Sequence, residues 1–210
     1  MTDIIIVSGS QRDESQTAKV SGFLASRWSQ LRPGSRATVL DLHALKIPML
    51  DDGFWEKDHP TWAPLWTPWA ERLERCAGII LVTPEWNGMA TAAVMNFLLL
   101  LKATQVGHKP ALLVSVSAGM SGPYPITQLR AYGYKNTRLC MIPEHLIIRF
   151  VERVLNGEAT GAEAAGLTAD DQFIRTRIDY ALKVFSEYAK ALALVRSSGV
   201  IDHKNFVNGM

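Results

Sequence analysis

Short apolar runs alternate along the chain with longer segments in which apolar residues recur every three or four positions. The runs at 4–7, 78–82 and 111–116 are dominated by Ile, Leu, Val and Ala, as expected for strands that are buried on both faces. Less uniform runs at 37–42 and 137–142 predict two more strands, and residues 145–154 extend or flank the last of them. Strands that alternate with helices in this way predict an α/β fold with a parallel sheet.

The helical segments between these strands have recognisable ends. The first helix stops before Pro33-Gly34, and Thr67-Pro68 predicts the start of another that continues to Cys76, because proline is favoured at the first helical position. Residues 168–171 open the last helix as a capping box in which Asp takes the usual place of Glu. Residues 156–166, rich in Gly, Ala and Glu, predict an exposed linker before it. Other helices are predicted directly after residue 88 and at 126–132.

The segment from His43 to Thr67 has no regular pattern of its own. Four of the six tryptophans of the chain fall between positions 55 and 69. A connection of this length is usually functional or packed against another part of the molecule. We interpret the aromatic cluster first as a contact with a second subunit. A wall over a planar ligand and a satellite cluster within one monomer are the alternatives.

Composition and charge set the broad class of the protein. With 210 residues, 48% hydrophobic and 20% charged, the chain is expected to form a single domain whose core covers about residues 3–195. The formal net charge is +2 and Lys and Arg form no stripe, so nucleic acid is not an expected partner. No signal peptide is recognisable, and the longest apolar stretch, 90–101, is too short to span a membrane. We therefore expect a cytoplasmic protein without membrane contact.

Cysteines and histidines do not form a metal or redox motif in this sequence. Cys76 and Cys140 are far apart and lie in core-like patterns, which predicts buried free thiols. The five histidines are scattered and show no spacing typical of a metal site. A bound metal is therefore not expected.

Polar loops follow the first, third and fourth predicted strands, at 8–17, 83–88 and 117–123. In an open parallel sheet, ligands bind in the crevice outside the carboxyl ends of the strands. The three loops are therefore expected to lie together at one edge of the sheet. The third loop is rich in small residues, which lets the backbone come close to a ligand.

The first of these loops has the composition of a phosphate cradle. The free N–H groups at the start of the following helix stabilise an anion, and Ser10, Ser15 and Thr17 add hydroxyl donors. Arg12 adds a full charge with a forked geometry that suits phosphate. The alternative is that Ser15 only caps the helix and that Arg12 is a solvated surface charge. The loop lacks the Gly-Lys-Ser/Thr and G-x-G-x-x-G motifs, which favours a smaller ligand with one phosphate.

In this order and at these separations, the three loops resemble those of the NAD(P)H-dependent FMN reductase family of flavodoxin-like flavoproteins. The resemblance covers about residues 3–190, and Pro84-Glu85-Trp86-Asn87-Gly88 is its most specific part. It implies a three-layer sandwich with a five-stranded parallel sheet in the order 2-1-3-4-5 and helices on both faces. It also implies FMN as cofactor, NAD(P)H as co-substrate, and a homodimer or homotetramer with the flavin near the subunit interface.

The resemblance also assigns roles to individual residues. Those of the first loop hold the FMN phosphate, those of the second line the isoalloxazine, and those of the third contact the ring from its other side. The residues concerned are Ser10, Arg12, Ser15, Gln16 and Thr17, then Pro84, Glu85, Trp86, Asn87 and Gly88, and finally Ser117 and Gly119. Three positions depart from the usual family pattern: Trp86 replaces a Tyr, Thr17 a common Asn, and Met95 a frequent Lys.

The implied activity passes a hydride from NAD(P)H to bound FMN and then electrons to free flavin, a quinone or a similar small acceptor. The cofactor carries this chemistry, so no side chain is assigned as catalytic. The alternative is a flavodoxin-like electron carrier or interaction module without NAD(P)H oxidation, since a fold does not determine a function. A serine hydrolase is a third alternative, and it is disfavoured because Gly119-Met120-Ser121-Gly122-Pro123 does not match G-x-S-x-G.

Overall fold

The computed structural model describes residues 3–209 and contains a five-stranded parallel sheet in the order β2-β1-β3-β4-β5. This is the predicted flavodoxin-like order, with helices on both sides. The strands are β1 (Ile4–Ser8), β2 (Ala37–Asp41), β3 (Gly78–Pro84), β4 (Pro110–Val116) and β5 (Cys140–Ile148). The helices are α1 (Gln16–Leu31), α2 (Leu42–Leu45), α3 (Trp62–Arg75), α4 (Ala92–Leu100), α5 (Ala103–Val106), α6 (Pro123–Ala131) and α7 (Ala169–Ser197), with a 3-10 turn at Asp52–Trp55.

The two faces of the sheet bury two separate apolar clusters. Successive side chains of a strand point to opposite faces, so Ile4 and Ile6 pack with α1 and α7, whereas Ile5 and Val7 pack with the helices from α2 to α6. β1, β3 and β4 are buried along their whole length, which explains their unbroken apolar runs. Each fully buried aliphatic side chain of this kind contributes about 1.5–3 kcal/mol relative to an exposed one.

The Trp-rich segment packs largely against its own monomer. Trp62 and Trp66 are 2% and 6% exposed, and both lie one turn apart in the core cluster beneath α4. The ring of Phe54 meets both edge-on, with centroid distances of 5.2 and 6.2 Å. The interpretation as a subunit contact is therefore wrong for these two tryptophans, whereas Trp55 is 64% exposed.

Helix α3 begins at Trp62, five residues before the predicted start at Thr67-Pro68. Pro68 lies inside the helix, where its missing N–H removes one backbone hydrogen bond. Burial of Trp62 and Trp66 requires the additional turn and outweighs that loss. The preference of proline for the first helical position therefore predicted the wrong helix start, because the tertiary contacts of Trp62 and Trp66 determine where α3 begins.

The chain after β4 differs from the prediction in three places. β5 begins at Cys140 rather than at residue 137 and runs to Ile148, so residues 145–148 extend the strand, which was one of the two alternatives; Cys140 is only half-buried, whereas Cys76 is buried as expected. Thr168 caps α7 by accepting from the N–H of Asp171, but the Asp171 carboxylate accepts from Leu155 N at 2.9 Å and does not complete a capping box. Within residues 3–209, no helix is both long and apolar enough to cross a membrane.

Candidate functional site

Three loops meet at the carboxyl edge of the sheet: the first loop (residues 9–15), the second loop (residues 85–91) and the third loop (residues 117–122). The Gly9 N–H donates to Val82 O at 2.8 Å, and the Thr91 hydroxyl donates to Gly9 O at 2.6 Å. The Glu85 N–H donates to Val116 O at 2.9 Å, which joins the second loop to the end of β4. The predicted convergence of the three loops is therefore present.

A glycine is required at the base of the first loop. A Cβ at Gly9 would lie 2.2 Å from Val94 Cγ2 and 2.7 Å from Val82 O, so a side chain at this position would displace the loop from the sheet edge. The next residue, Ser10, is 2% exposed, and its hydroxyl oxygen accepts from Arg12 N at 3.1 Å. These contacts fix the path of the loop towards α1.

The start of α1 faces this loop. Ser15 is the N-cap, and its hydroxyl oxygen accepts from Ala18 N at 3.1 Å, so the capping role that sequence left as an alternative is present. The N–H groups of Gln16 and Thr17 have no acceptor within the helix, and the helix dipole adds partial positive charge there. The site thus offers backbone donors to an anion.

Arg12 connects the first loop to the second. Its guanidinium carbon lies 4.9 Å from the centroid of the Trp86 ring, a cation–π distance, and the residue is exposed. Among residues 3–209 no carboxylate forms an ion pair with it, so its charge is available to a ligand.

His43 supports the first loop from the other side. Its Nδ1 lies 2.9 Å from the carbonyl oxygen of Gln11, and its Nε2 lies 3.7 Å from Asp13 Oδ1. Sequence reasoning treated this histidine as one of five scattered ones. Its position directly after β2, at the same sheet edge as the loops, was the feature that could have identified it.

The second loop is a tight turn at Asn87-Gly88. Trp86 N donates to Met89 O at 3.0 Å and Met89 N to Trp86 O at 2.9 Å, while Asn87 and Gly88 have φ angles of 50° and 74°. Two successive positive φ angles define the type I′ geometry for which Asn-Gly is the preferred sequence. The N–H groups of Asn87 and Gly88 take no part in this pair and remain exposed as donors.

Glu85 ties the second loop to the third. The Ser121 hydroxyl donates to Glu85 Oε1, and the Ser117 hydroxyl oxygen accepts from Gly119 N at 3.2 Å. Arg149 Nε donates to Ser121 O at 3.1 Å, which extends this connection to the chain after β5. The contact with Ser121 gives Glu85 a structural role.

Comparison with known families identifies the chain. The sequence model of the family described as NADPH-dependent FMN reductase matches residues 2–151, which include all five strands and all three loops. The chain belongs to this family. Members of the NADPH-dependent FMN reductase family use FMN with NAD(P)H as co-substrate. A search of curated proteins gave no match.

Solved structures with the same fold include flavoenzymes of low sequence identity. An oxidoreductase from Corynebacterium diphtheriae is 13% identical, with a TM-score of 0.65 and coverage of 91% of this chain and 98% of the other. The NAD(P)H:(acceptor) oxidoreductase FerB from Paracoccus denitrificans is 18% identical, with a TM-score of 0.60 and coverage of 90% and 99%. The apo NADH:FMN oxidoreductase EMOB is 16% identical, with a TM-score of 0.64 and coverage of 88% of each chain.

The groups at the sheet edge fit the cofactor of the FMN reductase family. Seven buried side-chain nitrogen or oxygen atoms have no hydrogen-bond partner among the described residues. Four of them lie at or next to the three loops: Ser8 Oγ, Gln16 Oε1, Glu85 Oε2 and Ser115 Oγ. Buried polar groups are rarely left unpaired, so this concentration indicates a place where a polar ligand or water is bound. Anion donors at one end and an aromatic ring with free N–H groups at the other match a phosphate and a flavin ring.

Proposed function

We propose that FMN lies across the three loops, with its phosphate at the first loop and its isoalloxazine between the second and third. The contact between Arg12 and Trp86 carries this proposal. It brings a cation that can bind phosphate next to the loop that is proposed to bind the ring. The proposed contact residues are Ser10, Arg12, Ser15, Gln16, Thr17, Pro84, Glu85, Trp86, Asn87, Gly88, Ser117 and Gly119.

The residues of the first loop bind and orient the phosphate. The N–H groups of Gln16 and Thr17 donate to its oxygens, and Arg12 turns from the face of Trp86 towards it. Ser10 and Ser15 accept backbone bonds with their hydroxyl oxygens and keep their own O–H groups for donation. Thr17 is 1% exposed, so it lies beneath the ligand.

The second and third loops position the ring. When bound, FMN would accept the hydride of NAD(P)H and pass its electrons on to the acceptor. The exposed N–H groups of Asn87 and Gly88 donate to the polar edge of the ring, where negative charge develops on reduction. The bond between Ser121 and Glu85 keeps the second and third loops at a fixed separation on either side of the ring.

We further propose that NAD(P)H reduces the enzyme and that free flavin, a quinone or a similarly small molecule accepts the electrons. The open position of the Asn87-Gly88 turn supports a small diffusible acceptor, because the turn is exposed to solvent in this chain. Two proteins of the same fold agree with this proposal, the NAD(P)H:(acceptor) oxidoreductase FerB and the NADH:FMN oxidoreductase EMOB. A homodimer or homotetramer is part of the proposal, and the exposed side chains of Trp55 and Leu99 are surfaces for it.

Steady-state oxidation of NADPH tests this function. FMN-loaded protein is supplied with riboflavin or a benzoquinone in the absence of oxygen, and turnover is expected with at least one of them. Trp86→Ala is expected to change turnover or acceptor preference with little change in melting temperature, and Trp86→Phe serves as the control that retains an aromatic face. Loaded protein that oxidises no NADPH with either acceptor contradicts the proposal. A large drop in melting temperature with normal turnover shows that Trp86 is only a packing residue.

A further inference from the structure

A cavity of about 360 Å³ lies next to the third loop, between the end of β5 and the start of α7. Its volume lies in the range of small-molecule sites. Its walls combine apolar and cationic side chains. They include Met120, Arg149, Phe150, Arg153 and Phe173, together with the acidic Asp170.

The charge of the cavity is positive. Arg149 and Arg153 face one acidic residue, Asp170, and neither arginine forms an ion pair within the described residues. Other arginines of the chain are engaged, such as Arg27 with Asp179 and Arg175 with Asp171. The two cavity arginines therefore have N–H donors free for an anionic group.

The apolar part of the cavity suits a planar aromatic group. Met120 and Phe173 are 69% and 67% exposed, so a ligand in the cavity can contact both side chains. The Arg153 guanidinium carbon lies 5.2 Å from the centroid of Phe150. This stacking holds the cation beside an aromatic wall, so a ring and its anionic substituent can be bound together.

The cavity shares its wall with the proposed flavin site. Phe150 N donates to Gly119 O at 3.3 Å, and Arg149 Nε donates to Ser121 O at 3.1 Å. Ser121 in turn donates to Glu85 in the second loop. A molecule in the cavity would thus be separated from the proposed flavin site only by the third loop.

We propose that this cavity binds a planar aromatic group that carries an anionic substituent, and that it anchors the far end of a substrate of the flavin site. The inference rests on the proposed function. Two sources have this chemistry: the adenosine 2′-phosphate end of NADPH, and an acidic aromatic electron acceptor such as a sulfonated quinone. Arg153 supplies the charge, and Phe173 and Met120 cover the ring.

Calorimetric titration with two probes tests the cavity and separates the sources. The probes are 2′,5′-ADP, for the nucleotide end, and anthraquinone-2-sulfonate, for an acceptor, and each is titrated into both the FMN-loaded and the FMN-free protein. The variants are Arg153→Gln and Phe173→Ala, both at exposed positions. Arg75→Gln is the matched control, because Arg75 is also exposed but lies at the opposite edge of the sheet.

The wild type is expected to bind at least one probe, and Arg153→Gln to weaken that binding roughly tenfold or more, the loss typical of a charge-assisted hydrogen bond. Phe173→Ala is expected to weaken the same probe and Arg75→Gln to leave it unchanged. Loss for 2′,5′-ADP alone identifies the nucleotide, and loss for the sulfonate alone identifies the acceptor. Failure of both probes to bind, or unchanged affinity in both cavity variants, overturns the inference. FMN titration of the same proteins separates this outcome from a failure of the proposed function. If the proposed function is wrong, the wild type does not bind FMN.

Discussion

Two arginine-containing regions of the molecule differ in how their charges are used. The connection between β5 and α7, residues 150–168, is held in place by Arg175 of α7. This side chain is 1% exposed, and it donates to the Asp171 carboxylate and to three backbone carbonyls. The first loop carries Arg12, which is exposed, lies with its guanidinium over the ring of Trp86 and forms no ion pair within residues 3–209. The protein itself uses the donors of Arg175, whereas those of Arg12 are proposed to bind a ligand.

Lys19 adds to the fixed region. Its ammonium donates to Val151 O at 2.6 Å and Val154 O at 3.0 Å, so the connection is held from α1 as well as from α7. Burial lowers the pKa of Lys19, and the charges of Asp171 and Glu152 partly oppose this shift. The segment 156–166 is largely exposed, as predicted, and the bonds from Arg175 to the carbonyl oxygens of Asn156, Glu158 and Thr160 connect it to α7. A positive charge alone therefore does not identify a ligand site. An arginine or lysine is a candidate for ligand binding when its N–H donors are not already used by acceptors of the protein.

The largest expected effect is on Arg175. Arg175→Ala leaves the Asp171 carboxylate and several carbonyls buried without a partner, so it should lower the free energy of unfolding by about 3–5 kcal/mol. Urea denaturation measures this loss. The control is Arg177→Ala, whose 2.9 Å ion pair with Glu144 is partly exposed. An exposed pair of this kind contributes about 0–1 kcal/mol. Equal losses of unfolding free energy in the two variants would show that Arg175 stabilises the fold no more than an exposed ion pair does.

Arg12→Ala is expected to show the opposite pattern. FMN binding should weaken by about 1.5–3 kcal/mol, the range for a hydrogen bond to a charged group. The free energy of unfolding without FMN should change by less than about 0.5 kcal/mol, as is usual for a surface position. Fluorescence titration with FMN measures the affinity, and Arg75→Ala controls for the loss of a positive charge. Unchanged FMN affinity would remove Arg12 from the site.

Gly9→Ala tests whether the base of the first loop is rigid. The added methyl would overlap Val94 Cγ2 and Val82 O, so a loss of about 1–3 kcal/mol in unfolding free energy is expected, together with weaker FMN binding. Thermal and urea unfolding measure the first effect and FMN titration the second. Wild-type values in both measurements would show that the loop tolerates displacement.

The smallest expected effect is a gain in stability at Gly22. This glycine lies inside α1, and a Cβ there would meet nothing within 4 Å. Gly22→Ala should therefore raise the free energy of unfolding by about 0.5–1 kcal/mol, because glycine is unfavourable in a helix interior. Urea unfolding measures this gain, and the Gly9→Ala protein, unfolded under the same conditions, is the matched comparison. A destabilised Gly22→Ala protein would contradict the described packing of α1.

The features that the sequence predicted correctly are local. Five apolar runs gave the strands, and the polar loops after the first, third and fourth strands identified the sheet edge where the loops meet. The tight turn at Asn87-Gly88 was not predicted, but it is equally local, because only a few residue types adopt two successive positive φ angles. Such features depend on neighbouring residues and can be recognised without knowledge of the rest of the fold.

The features that were wrong or missed depend on distant contacts. Trp62 and Trp66 extend α3 past a proline because they pack under α4. Asp171 bonds to Leu155 and Arg175 instead of completing a capping box, and His43 reaches Gln11 across 32 positions of the chain. No periodicity in the sequence reports these contacts, since they form only when separate elements pack together.

The visible absorption spectrum of the purified protein, titrated with FMN and then treated with NADPH in the absence of oxygen, shows whether the three loops bind a flavin that NADPH can reduce. Saturable flavin binding is expected, followed by bleaching of the flavin bands when NADPH is added. Absence of any affinity for FMN would contradict the assignment of the three loops as its site. Bound flavin that NADPH cannot reduce would contradict the proposed reductase activity and favour an electron carrier.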